Sequence, residues 1–160
     1  MAVLSPSLLA ANFSCLGKEI KDVAEAGAQC LHLDVMDFHF VPNLTFGACV
    51  IQKLRPLSDL VFDAHLMVEH PEKYVEPFRK AGADYLTFHL EATEEPQKII
   101  DMIKNAGIKC GLSVKPKTDV ETLAPYLDQM DLILIMSVEP GFGGQSFMDD
   151  TLRKAVWLST

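Results

Sequence analysis

Two polar side chains interrupt the aliphatic run CLHLDVM at positions 30–36. His32 and Asp34 stand two residues apart. In a strand that spacing puts both on one face, with Leu31, Leu33 and Val35 on the other. An imidazole and a carboxylate buried among aliphatics need something to satisfy them. A divalent cation does so, and so does a hydrogen-bonded core pair; spacing alone leaves both readings open. A third polar residue of this kind, His65, interrupts the apolar run VFDAHLMV. Met36 shares the parity of His32 and Asp34, and Met67 that of His65. With Met136 they could wall a dry, polarizable site or simply fill a core.

The run Pro140–Gly144, PGFGG, follows an apolar stretch and precedes a helix-like one. Glycines let backbone amides approach an anion closely, and a helix start adds a favourable dipole. The pattern suits a phosphate, though a flexible loop would look the same.

The elements that must hold these residues alternate regularly. Strand-like runs cover Val3–Leu9, Cys30–Val35, Leu60–Val68, Asp84–His89, Lys109–Val114 and Asp131–Val138. Helix-like stretches cover Leu16–Glu25, Ala48–Leu54, Glu72–Ala81, Pro96–Asn105, Asp119–Leu127 and Asp149–Leu158. Gly27, Gly82 and Gly107 each stand where a helix should stop before a strand. The reading is six βα units in one α/β domain over residues 1–160, with near-continuous apolar strands in a parallel sheet. Such folds place chemistry at the C-terminal ends of strands. No G-x-G-x-x-G or P-loop follows the first strand, which disfavours a nucleotide fold. A closed (β/α)₈ barrel needs eight strands and roughly 200 residues or more.

Composition narrows the partners. Apolar residues make up 49% and charged residues 22%, an ordinary globular balance, and the net charge of −8 argues against nucleic acid. Cys15, Cys30, Cys49 and Cys110 form no C-x-x-C pair and suit free thiols in a reducing cytosol. No stretch has the length of a membrane span, and the N-terminus lacks the basic region of a signal peptide.

SPS at 5–7, HLDVMDFHFVPN at 32–43, DAHLMV at 63–68, FHLEA at 88–92 and MSVEPGFGGQSF at 136–147 occur in that order. Together they resemble the ribulose-phosphate 3-epimerases along nearly the whole chain. Related barrels that decarboxylate keto-gulonate phosphate carry Asp-x-Lys-x-x-Asp, whereas Met36 stands here where that Lys would be. The resemblance implies a TIM (β/α)₈-type ribulose-phosphate-binding barrel. It implies one divalent metal ion (zinc, iron, manganese or cobalt) held by His32, Asp34, His65 and a second Asp. Asp34 would accept the proton from C3 of a ketopentose phosphate. Ser7, His65, Gly141, Phe142, Gly143 and Gly144 would contact substrate, and Met36, Met67 and Met136 would wall the site. The resemblance further implies a cytosolic homodimer or higher homo-oligomer. The second Asp belongs to an Asp-Gly-Gly motif that these 160 residues do not contain. Asp149 and Asp150, at a helix start, do not replace it. Two expectations follow: a shortened form of a metal-dependent isomerase, or an inactive metal-binding, sugar-phosphate-binding or dimerisation module. His39, His70, His89, Lys115 and Glu139 remain at strand ends and loops. Of these, His89 is expected to pack or hydrogen-bond beside the site.

Overall fold

The computed structural model describes residues 2–159. Five strands form one parallel sheet in the order β1-β2-β3-β4-β5: β1 (Cys30–Met36), β2 (Val61–Met67), β3 (Tyr85–His89), β4 (Lys109–Val114) and β5 (Leu132–Ile135). Parallel neighbours need long crossovers. These carry α2 (Ala48–Leu54), α3 (Val75–Ala81), α4 (Pro96–Asn105) and a 3₁₀ segment over Val120–Gln129, while α1 (Leu16–Glu25) precedes β1 and α5 (Thr151–Leu158) follows β5. Gly27, Gly82 and Gly107 close α1, α3 and α4 at φ of +95°, +89° and +76°. That conformation is left-handed and costs glycine nothing.

The two faces of the sheet differ in kind. Leu31, Leu33, Phe62, Ala64, Leu66, Leu86, Phe88, Cys110 and Leu112 point outward and are at most 1% exposed against the helices. Each large side chain so buried contributes about 1.5–3 kcal/mol, which fixes the strand parity. The alternate positions face inward and are polar: His32, Asp34, Asp63, His65, Thr87, His89 and Ser113. The register sets Asp34 beside His65, His65 beside Thr87, and His89 beside Ser113. The sheet curls, so that Ser7 before β1 and Met136 after β5 line one cavity. This is the strand–helix alternation of a (β/α) barrel, with five strands among the described residues.

Three expectations change. The predicted strand Val3–Leu9 is not a regular strand, so the predicted six become five. The amides of Gln29 and Cys30 do donate to Leu4 O, at 3.1 and 3.2 Å, and His32 N–H donates to Pro6 O at 2.9 Å. Pro6 has no N–H to extend the ladder, and only a single bridge, Ser7 to His32, remains. The predicted helix at Asp119–Leu127 is 3₁₀ and contains Pro125, which removes an amide donor and crowds the preceding turn. Finally, α5 begins only at Thr151, so no helix start abuts Gly141–Gly144. The dipole expected there is absent. No helix among the described residues is long and apolar enough to cross a membrane.

Candidate metal centre

His32, Asp34 and His65 converge. Nε2 of His32 lies 3.3 Å from Oδ1 of Asp34 and 3.3 Å from Nδ1 of His65, and that Nδ1 lies 3.1 Å from Oδ1 of Asp34. Two ligands held tetrahedrally at the bond lengths of zinc to nitrogen or oxygen stand about 3.3 Å apart. The donor triangle therefore has the size that a small divalent ion imposes. The three residues form the one group of this kind among those described.

Neighbours decide which atoms point at that triangle. Nδ1–H of His32 donates to Oδ2 of Asp63 at 2.9 Å, which turns Nε2 toward the cluster. Oδ1 of Asp63 is held by the Thr87 hydroxyl at 3.1 Å. The Ser7 hydroxyl donates to Oδ2 of Asp34. The Thr45 hydroxyl donates to Asp34 O at 2.6 Å and accepts the Met36 amide at 3.1 Å, pinning the end of β1. His65 is 1% exposed, and its Nε2 lies 2.8 Å from Nε2 of His89.

Electrostatics follow from this packing. Burial raises the carboxyl of Asp34, but hydrogen bonds from His32 and His65 outweigh it and hold the group far below the carboxylate range. Burial opposes charge on His32, yet Asp34 and Asp63 together raise it to about 10. Burial wins at His65, which falls to about 4 despite Asp34. The cluster calls for positive charge at its centre. The donor set fits a divalent cation: two imidazole nitrogens, one carboxylate oxygen and a carboxylate behind one imidazole.

Above the triangle opens a cavity of about 560 Å³. Ser7, Asp34, Met36, Met67, Met136 and Gly141–Gly144 all line it. Gly141 is buried at φ +122°, its carbonyl accepts Asn43 Nδ2 at 2.8 Å, and Phe142 is 54% exposed at the rim. Gln145 Nε2 donates to the carbonyls of Glu139 and Phe142 at 2.6 and 2.8 Å, which closes the glycine loop on itself. His39 and His70 are exposed and stand outside the cluster.

The sequence reading passes over Asp63, Thr87 and Glu91. Asp63 carried a usable signal, since it stands two before His65 and so shares its face. Thr87 and Glu91 carried none.

The ribulose-phosphate 3 epimerase family model matches residues 3–158. The chain is 47% identical over 154 residues to ribulose-phosphate 3-epimerase of Bacillus subtilis, covering 96% of this chain and 71% of that one. It is 49% identical to the enzyme of that name from Synechocystis, covering 95% and 67%. A Yersinia pestis DHPS structure superposes at TM-score 0.62 with 13% identity, covering 98% of this chain and 66% of that one, a likeness of fold. With a matching model over nearly its full length and relatives this close, the chain belongs to the ribulose-phosphate 3-epimerase family.

Proposed function

We propose that this protein is a metal-dependent isomerase that acts at C3 of D-ribulose 5-phosphate to give D-xylulose 5-phosphate through an enediolate. The observation that carries the reading is the triangle of His32, Asp34 and His65 under a cavity edged by Gly141–Gly144. When bound, a divalent ion supplies a fixed positive charge that lowers the cost of negative charge on the substrate oxygens beside C3. Asp34 faces the cavity as an ionised carboxylate and takes the C3 proton, while the C–H electron pair moves toward C2 and its carbonyl oxygen. The Ser7 hydroxyl on Oδ2 orients that carboxylate. Met36, Met67 and Met136 keep water from the reacting face. Amides of Gly141–Gly144 receive the phosphate.

Inversion needs a proton returned to the opposite face, because a single base tends to restore the configuration it disrupted. Glu139 is the other carboxylate that lines the cavity; it is exposed and outside the cluster. The Asp-Gly-Gly aspartate of the family pattern is not among these 160 residues.

Calorimetric titration with zinc tests the site. One ion per chain is expected, bound more weakly by Asp34→Asn; equal affinity in the two would remove Asp34 from the ligand set. Turnover to xylulose 5-phosphate that persists in Asp34→Asn would remove Asp34 as the base.

A further inference from the structure

His89 is fully buried, and its Nδ1 has no hydrogen-bond partner among the described residues. Such an atom is costly unless another contact satisfies it. Oε2 of Glu91 stands 3.4 Å from it. The other oxygen of Glu91, Oε1, accepts the Lys115 amide at 2.7 Å and the Thr118 hydroxyl. On the opposite side of the ring, Nε2 of His89 meets Nε2 of His65 at 2.8 Å. A line thus runs from the donor triangle through His65 and His89 to a carboxylate just past the C-terminal end of β3.

The contact between the two imidazoles admits one proton. One ring donates it from Nε2 and the other accepts it there. Two arrangements satisfy this. In the first, His65 donates from Nε2, its Nδ1 keeps a lone pair toward the triangle, and His89 presents Nδ1–H to Glu91. In the second, His89 donates, His65 carries its proton on Nδ1 toward Asp34, and the Nδ1 lone pair of His89 faces the Glu91 carboxylate. With the site empty each sets one Nδ1 lone pair against a carboxylate, His65 against Asp34 in the first and His89 against Glu91 in the second. A divalent ion between His65 Nδ1 and Asp34 needs the first of these lone pairs, and that arrangement alone also gives Glu91 a donor.

We infer that Glu91 and His89 are positioning residues that set the His65 tautomer for metal binding. The inference rests on the metal reading above. It mirrors the other side of the triangle, where Thr87 holds Asp63 and Asp63 sets His32. Neither Glu91 nor His89 touches the reacting atoms.

Glu91→Gln is a sharp probe because its orientation is forced. The Lys115 amide cannot stop donating, so the Gln oxygen must take the Oε1 place and the NH₂ must face His89 Nδ1. That imposes the second arrangement. Zinc affinity of the full chain is expected to fall about tenfold or more in Glu91→Gln and roughly 10–100-fold in His89→Leu. Proton–nitrogen NMR of the histidine rings in the zinc-loaded parent is expected to place the His65 proton on Nε2 and the His89 proton on Nδ1. A purely packing role would leave zinc affinity unchanged in this isosteric variant. Zinc affinity within twofold of the parent in Glu91→Gln, or a His89 proton on Nε2 in the zinc-loaded parent, would overturn the inference while leaving the metal site standing. A parent chain that binds no zinc would instead overturn the metal reading. If either variant does not fold, the other decides on the same criteria.

Discussion

Three basic atoms aimed at one point repel unless a proton or a metal ion lies between them. His32 Nε2, His65 Nδ1 and Asp34 Oδ1 are so placed, none more than 3.3 Å from the others. The arrangement holds because the residues behind it are anchored. Asp63 is 7% exposed, accepts Nδ1–H of His32 and is itself held by Thr87. Asp63→Asn keeps the shape and removes the charge that makes His32 a better donor. Zinc affinity is expected to fall roughly 10–100-fold with little change in fold, measured by competition with a chromophoric chelator. An unchanged affinity would mean that His32 needs no carboxylate behind it. At this scale the ligands were legible and their support was not. His32 and Asp34 are marked by parity within seven residues, whereas the contacts of His65 with His89 and of Asp63 with Thr87 each join residues 24 apart. Those contacts depend on the register between strands, which a single sequence leaves open.

The strands stand close where the site is built. A Cβ added at Gly111 on β4 would lie 2.2 Å from Oγ1 and 2.9 Å from Cβ of Thr87 on β3. Thr87 is fully buried and cannot swing away. Gly111→Ala is therefore expected to cost about 1–3 kcal/mol in urea unfolding. It should also weaken zinc binding, because Thr87 must leave Asp63; a variant as stable as the parent would show that β3 and β4 part freely there. The short turn after β3 offers a test by pH. Burial raises Glu91, but contacts with His89, Thr118 and the Lys115 amide outweigh it and hold the group at about 2. Its folded pKa lies below its unfolded value, so its contribution is present above the ordinary glutamate range and is lost as pH falls through about 2. The stability gap between parent and Glu91→Gln should be widest above about pH 5 and close toward pH 2. A gap that does not change with pH would mean the carboxylate carries no such linkage. The helix–strand alternation was readable from periodicity and from the glycines after α1, α3 and α4. The prolines explain what was misread. Pro6 stops the first ladder, and Pro125 turns a helix-like pattern into a 3₁₀ segment. Both effects are local, yet the apolar spacing around each proline masks them.

Across the whole molecule, the sheet has two different borders. The loop Leu4–Ser7 lies along β1. On the far side β5 ends the order, and all four of its residues are only half-buried. A cavity of about 620 Å³, lined in part by Val3, Tyr85, Leu132 and Ile133, opens along the inner face between these borders. Unpaired strand edges beside apolar surface favour pairing with another chain. The 160-residue chain is accordingly expected to self-associate with rising concentration in sedimentation velocity; a monomer throughout the micromolar range would contradict this. The fold class was legible at this scale because apolar strand-like runs and amphipathic helix-like runs alternate along the chain. The strand count was not, because an edge segment held by three amide bonds to Leu4 and Pro6 carries the same apolar pattern as a full strand.

The residue-level chemistry and the whole-molecule account meet in one quantity, the fate of the hydrogen on C3. Ribulose 5-phosphate is incubated with the zinc-loaded chain in deuterated water, and the recovered sugar is read by proton NMR. The C3 proton signal is expected to disappear as deuterium from the solvent replaces it. The loss should stop when the metal is chelated, and it should stop in Asp34→Asn. A C3 proton that survives in the presence of the zinc-loaded parent, or that exchanges as fast with Asn at position 34, would contradict Asp34 as the base of a metal-assisted site.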